Sequence, residues 1–195
     1  NYVVIRENTG GLYTGIGGIE DKGTPNEVAT QSMVYSYEQV ERCLRFAFKT
    51  AIKRHESAPW KGLSQAEKDQ GFVGKVTLCG KTNVLMHVFG LWQRVFDQLK
   101  AEFPTVLTDY THVDAVCVHM VECPERFDVI VTSNMFGDII TDLAAVTQGG
   151  MGVAASANIN PNGLSMFEPI GGTAPAFTGL NQINPMAAIG AAHLM

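Results

Sequence analysis

Several signatures are missing from this 195-residue chain, and each absence closes a class of function. No apolar run reaches the roughly 20 residues that a membrane-spanning helix needs. The opening Asn1-Tyr2-Val3-Val4-Ile5 also lacks the charged-then-apolar order of a targeting segment. Basic residues are few: 14 Lys and Arg stand against 19 Asp and Glu, for a net charge of −5 and a pI near 5.5. With no Lys and Arg cluster interleaved with aromatics, neither a nucleic-acid surface nor a membrane is expected as a partner. Cysteine is scarce. Cys43, Cys79, Cys117 and Cys123 show no CxxC spacing and sit mostly in apolar runs. They are expected as buried thiols in a reducing compartment, the cytoplasm, rather than as disulfides or zinc ligands. His55, His87, His112, His119 and His193 are scattered and form no zinc set. No GxGxxG follows a strand-like run, which argues against a Rossmann domain.

What is present is an ordinary globular composition with 46% hydrophobic residues, enough for one large or two small cores. Val3 to Arg6 reads as a strand, followed by the turn-rich Asn8-Thr9-Gly10-Gly11. Gly23 to Tyr37 mixes Thr, Val, Met and Tyr with turn formers, which suits a projecting β-hairpin or arm better than a helix. Val40, Leu44, Ala47, Phe48 and Ile52 recur at helical spacing, with Lys49, Lys53 and Arg54 late, as the helix dipole favours. Residues 57–71 are polar and read as a surface insertion without chemistry. Lys75 to Cys79 is a second strand, and Val84 to Leu99 marks a long amphipathic helix after Thr82-Asn83. A short strand at Thr105 to Thr108, a helix at His112 to Glu122 and a buried strand at Phe127 to Thr132 follow. Alternating strands and helices predict an α/β fold with a central sheet. The chain opens without Met in a strand and stops within an apolar helix opened by Asn184-Pro185, so a central fragment of something longer is expected.

The chemistry collects after the strands. In Ser133-Asn134-Met135-Phe136-Gly137-Asp138-Ile139-Ile140-Thr141-Asp142, two acids lie four residues apart just beyond an apolar run. On a helix Asp138 and Asp142 share a face and can offer oxygens to a hard divalent cation; acids favoured near a helix start, capped by Ser133 or Asn134, explain the same pattern. Lys81 follows its strand through Gly80. It is either a solvated lysine at a helix start or a partly desolvated amine able to act as a general base. Asp114 reads alone as a half-buried acid that needs a cationic partner. Arg6 could grip a carboxylate with two parallel bonds and Tyr13 could give or take a proton; a surface ion pair and a packed ring are the plainer readings. Glu168-Pro169-Ile170-Gly171-Gly172-Thr173-Ala174-Pro175, then Asn184-Pro185, makes a glycine-rich loop that lets backbone approach a ligand closely.

Taken together these segments resemble the metal-dependent β-decarboxylating dehydrogenases, the isocitrate/isopropylmalate dehydrogenase family. Thr9-Gly10-Gly11-Leu12-Tyr13 is similar in style to its 3-isopropylmalate members, and Arg6-Glu7-Asn8 also occurs in isocitrate, homoisocitrate and tartrate relatives. The resemblance implies an isopropylmalate-dehydrogenase-like α/β/α fold, present in part. It divides the chain into a substrate and dimerisation domain over residues 1–148, with the arm near 17–35, and part of a cofactor domain over 149–195. It implies oxidative decarboxylation of a 3-substituted D-malate with hydride transfer to NAD, dependent on Mg or Mn, in a homodimer with shared sites. A non-catalytic nucleotide- or metal-binding subunit, or an inactive fragment, is the alternative of another class.

By the same resemblance Arg6 holds the substrate carboxylate, and Tyr13 protonates the enolate. Lys81, lent by the neighbouring subunit, takes the hydroxyl proton. Asp138 and Asp142 bind the metal with Asp114 of the neighbour. Asn83 lies near the nicotinamide, and Gly172, Thr173, Ala174, Pro175 and Asn184 bind the adenosine part. The chain departs from the family pattern at Gly171, where many members have histidine, and at Ala176, where NAD-type members often carry an acid and NADP-type isocitrate enzymes a lysine. NAD is preferred because Phe177 and its neighbours bring no positive charge for a 2′-phosphate, and NADP remains open.

Overall fold

A computed structural model describes residues 2–195, which form two compact units that divide between Ile140 and Thr141. The first unit begins with β1 (Val3–Arg6), then the antiparallel hairpin β2 (Gly17–Glu20) and β3 (Val28–Gln31). The segment expected as an arm thus holds a two-stranded ribbon, exposed along both strands. Helix α1 (Tyr37–Ser57) follows, opened by a capping box in which Ser36 Oγ accepts from Gln39 N and the Gln39 side chain accepts from Ser36 N. A second capping box, Ser64 with Glu67, starts the short α2 (Gln65–Asp69) inside the polar insertion. Then come β4 (Gly74–Gly80), α3 (Met86–Glu102), β5 (Val106–His112), α4 (Val113–Glu122), β6 (Val129–Thr132) and α5 (Asn134–Thr147). The division between units falls inside α5, upstream of residue 148.

The sheet of the first unit has the order β1-β6-β4-β5 and all its pairs are parallel. β6 and nearly all of β4 are buried, as strands covered on both faces must be, which is why they read as apolar runs without alternation. The core joins α1 and α3 to these strands through Phe48, Phe89, Trp92, Leu44, Leu78 and Val131. Aromatic rings carry much of it: Phe89 stacks on Phe136 at 5.4 Å, and Tyr35 meets Trp92 edge-on at 5.5 Å. All four cysteines are free. Cys43 and Cys79 are buried, whereas Cys117 and Cys123 are half-buried on and just after α4.

In the second unit β7 (Ala155–Asn158) pairs antiparallel with β8 (Met166–Pro169), and α6 (Met186–Leu194) packs on both. Gly190 lies where a Cβ would stand 3.2 Å from the Ala155 methyl, so the small residue permits that close packing. Among the described residues no helix is long and apolar enough to cross a membrane.

Candidate active site

Strand register places the chemistry. Arg6 pairs with Thr132, Cys79 with Thr132, and Gly80 with His112, so β1, β6, β4 and β5 all end at one edge of the sheet. The residues just beyond those ends are Glu7, Ser133-Asn134, Lys81 and Val113-Asp114. Carboxyl edges of open parallel sheets are where such folds collect ligands. A surface concavity of about 530 Å³, lined by residues including Phe72, Lys100, Pro104 and Val106, lies at the opposite, amino-terminal start of β5 and contains none of these groups.

Arg6 is the hub of the first cluster. Its Nε and Nη2 both donate to Asn134 Oδ1, at 2.9 and 2.7 Å, and its Nη1 donates to Asp138 Oδ1 at 2.5 Å. One helical turn separates residues 134 and 138, so a single guanidinium at the end of β1 reaches both. Tyr13 Oη donates to the other carboxylate oxygen of Asp138 at 2.8 Å, and the guanidinium carbon lies 5.6 Å from the Tyr13 ring centroid. The loop that delivers Tyr13 is built on buried Glu7, whose carboxylate accepts from the backbone N–H groups of Thr9 at 3.0 Å and Gly10 at 2.8 Å, and from the Thr9 hydroxyl. Gly11, at φ +84°, then turns the chain back to bridge Val34. The Tyr13 hydroxyl, followed by Arg6, holds the Asp138 carboxyl below the usual carboxylate range. The same hydrogen bond raises Tyr13 above an ordinary phenol.

The second cluster is an ion pair. Lys81 Nζ lies 2.7 Å from Asp114 Oδ1, the lysine largely covered and the acid exposed in the first turn of α4. The Gly80–His112 register makes this pairing geometric, since each residue follows its strand by one or two positions. Lys81, as the leading influence, lowers the Asp114 pKa. The turn after β4 is fixed by Tyr110, whose Oη accepts from Thr82 N at 2.9 Å and donates to Thr82 Oγ1 at 3.0 Å. Gly80 is required there: a Cβ would come within 2.6 Å of the Phe89 ring. Asn83 is exposed in the same turn.

Asp142 lies exposed on α5. Gly172, Thr173, Ala174 and Pro175 form a loop after β8, with Gly172 at φ +61° and Ala174 at φ +42°, both left-handed. Asn184 Oδ1 accepts from Met186 N at 3.0 Å and so ties off the start of α6. Among the described residues, no group of three or more His, Cys, Asp or Glu side chains is gathered that could hold a metal ion.

Sequence reasoning did not single out Glu7 or Tyr35, and it read Asn134 only as a cap. Tyr35 Oη accepts from Asn134 N at 2.7 Å, and Asn134 Nδ2 donates to the Gly10 carbonyl at 3.0 Å. A glutamate two residues before a Thr-Gly pair was the available signal for the loop anchor. Nothing local marks Tyr35, because its partner is 99 residues away.

The sequence model of the family described as isocitrate/isopropylmalate dehydrogenase matches residues 1–195. A 3-isopropylmalate dehydrogenase of Clavibacter michiganensis subsp. michiganensis is 48% identical over 191 residues, which are 97% of this chain and 49% of that protein. One from Corynebacterium glutamicum is 44% identical over 197 residues, covering all of this chain and 53% of its own length. Among solved structures, isocitrate dehydrogenase from Methylococcus capsulatus superposes with a TM-score of 0.83 at 36% identity, over 100% of this chain and 52% of that one. The chain spans about half the length of the relatives it matches.

Proposed function

Because the chain belongs to the isocitrate/isopropylmalate dehydrogenase family, we propose that the whole protein oxidatively decarboxylates a 3-substituted D-malate, best 3-isopropylmalate, passing hydride to NAD. The observation that carries this reading is the convergence of Arg6, Tyr13 and Asp138 at the carboxyl edge of the sheet. A guanidinium, a phenol and an ionised carboxylate within hydrogen-bond reach are the parts a hydroxy diacid needs: a clamp, a proton donor and a cation ligand. Identities of 48% and 44% to isopropylmalate dehydrogenases, against 36% to an isocitrate dehydrogenase, favour the former substrate over isocitrate, homoisocitrate, tartrate or D-malate.

The donor set suits Mg or Mn, since it is all oxygen and Asp138 is biased toward its ionised form. Asp138 and Asp142, one turn apart on α5, would hold the ion together with Asp114 of a second copy. A divalent ion there supplies Lewis-acid stabilisation of negative charge on the substrate as CO₂ leaves. Arg6 binds and orients a substrate carboxylate. Lys81 of the second copy takes the hydroxyl proton through water, and its pairing with Asp114 lets both lent groups arrive as one unit. Tyr13 delivers a proton to the enolate carbon. On the same reading Gly172, Thr173, Ala174, Pro175 and Asn184 contact the adenosine part and Asn83 the nicotinamide end. The absence of added positive charge around Ala176 and Phe177 favours NAD over NADP.

The full-length protein, assayed for NAD reduction with isopropylmalate, isocitrate, tartrate and D-malate in the presence of Mg²⁺ or Mn²⁺, tests this directly. Turnover preferring isopropylmalate is expected. Reduction with none of the four would overturn the reading.

A further inference from the structure

We infer that Asn134 is the positioning residue that fixes the Arg6 guanidinium, and that Tyr35 in turn fixes Asn134. The inference rests on the dehydrogenase reading for its functional consequence, but its geometry stands by itself. Asn134 is 2% exposed and all of its bonding directions that matter here are used. Its amide oxygen takes both Nε and Nη2 of Arg6, its amide nitrogen donates to the Gly10 carbonyl, and its backbone N–H donates to Tyr35 Oη. A fork held through two of its nitrogens cannot rotate about its Nε–Cζ axis without breaking a bond, so the remaining edge is aimed. Tyr35 is itself wedged: a Cβ on Gly11 would stand 2.5 Å from its hydroxyl, and one on Gly10 would stand 2.9 Å from its ring.

The choice of an amide is informative. An oxygen acceptor without charge orients the guanidinium and leaves its positive charge for a ligand, whereas a carboxylate would neutralise it. Arg6 already has one anionic partner in Asp138. A second anion at position 134 would make the cluster net negative and repel a diacid.

Two substitutions separate orientation from charge. In the full-length protein Asn134→Leu keeps the approximate shape and removes the acceptor, while Asn134→Asp keeps the acceptor and adds charge; both lose the Nδ2 donor to the Gly10 carbonyl, so the contrast between the two isolates the charged acceptor. The Arg6 Nε–H signal, followed by nitrogen-labelled arginine NMR, is expected to be protected from exchange in the wild type and in N134D, and lost in N134L. KM for the hydroxy acid is expected to rise roughly ten- to hundredfold in both variants, with kcat changed less. Retention of the protected Nε–H signal in N134L overturns the positioning role, whether or not the wild type turns over any hydroxy acid. Wild-type turnover with KM unchanged in N134D overturns the charge argument alone and leaves the dehydrogenase reading intact. Tyr35→Phe, which preserves the ring packing, is the milder check: it should weaken the Nε–H protection without unfolding the protein, and unaltered protection removes Tyr35 from the chain of contacts.

Discussion

At the scale of single residues, Gly137 shows two effects in opposition. It lies within α5, where alanine would favour the helix by roughly 1 kcal/mol. A Cβ at this position, however, would meet Arg6 Cγ at 2.5 Å and Arg6 Cβ at 2.8 Å. Those atoms are the root of the side chain and cannot swing aside as a flexible tip would. Gly137→Ala should therefore leave stability within roughly 1 kcal/mol of wild type while displacing the guanidinium, visible as a KM for the hydroxy acid raised on the order of tenfold. Chemical denaturation and steady-state kinetics on one preparation check both halves. Tyr35 gives a pH-dependent prediction. Burial, the main influence, pushes its phenol from 10.0 up to about 12 in the folded protein. Between those values the unfolded chain loses the proton first, so the unfolded state binds fewer protons and stability falls as pH rises. Below pH 10 the contribution is fully present. Tyr35→Phe should flatten that part of the alkaline stability profile, and an unchanged slope between pH 10 and 12 in denaturant titrations would refute the assignment.

Elements differ in how readily their sequence announced them. The amphipathic face of α1 was legible because Val40, Leu44, Ala47, Phe48 and Ile52 recur at helical spacing; the first four are fully buried and Ile52 is half-buried. β4 and β6 were legible as apolar runs because both faces are covered. β5 was foreseen only over its first residues. Its later part, Asp109 to His112, is polar and half-buried at the sheet edge, so composition gave no sign that pairing with β4 carries on to Gly80. The insertion at 57–71 was read only as a polar surface segment without chemistry, although Ser64 and Glu67 stand at capping-box spacing before α2. β7 and β8 are short and mixed in composition and were not foreseen. The capping box of α1 makes an element-level prediction. Ser36 Oγ accepts from Gln39 N at 3.2 Å, and Ser36 N donates to Gln39 Oε1 at 2.8 Å. Ser36→Ala should destabilise the full-length protein by about 1 kcal/mol, within the range measured for lost N-caps. A shift in the urea midpoint without a change in slope is the expected result.

For the molecule as a whole, candidate groups were legible one by one, but their partnership was not. Arg6, Tyr13 and Asp138 are separated by up to 132 positions in sequence, and only parallel register brings the ends of β1 and β6 together. Lys81 and Asp114 instead find each other, at the ends of β4 and β5. This grouping gives the proposed shared site a specific test. If one copy supplies Arg6, Tyr13 and Asp138 and the other supplies Lys81 and Asp114, damage to the two groups must complement. Full-length Tyr13→Phe and Lys81→Met proteins should each lose nearly all turnover. When subunits are allowed to exchange, half of the dimers become mixed, and each mixed dimer has one site with both lesions and one with neither, so activity should return to roughly a quarter of wild type. Pairing Tyr13→Phe with Asp138→Asn, two lesions in the same cluster, should restore nothing, because every site in the mixed dimer then carries one of them. No recovery in the first mixture despite demonstrated subunit exchange would place all five residues in a site made by one chain, and recovery in the second mixture would overturn the grouping of Tyr13 with Asp138.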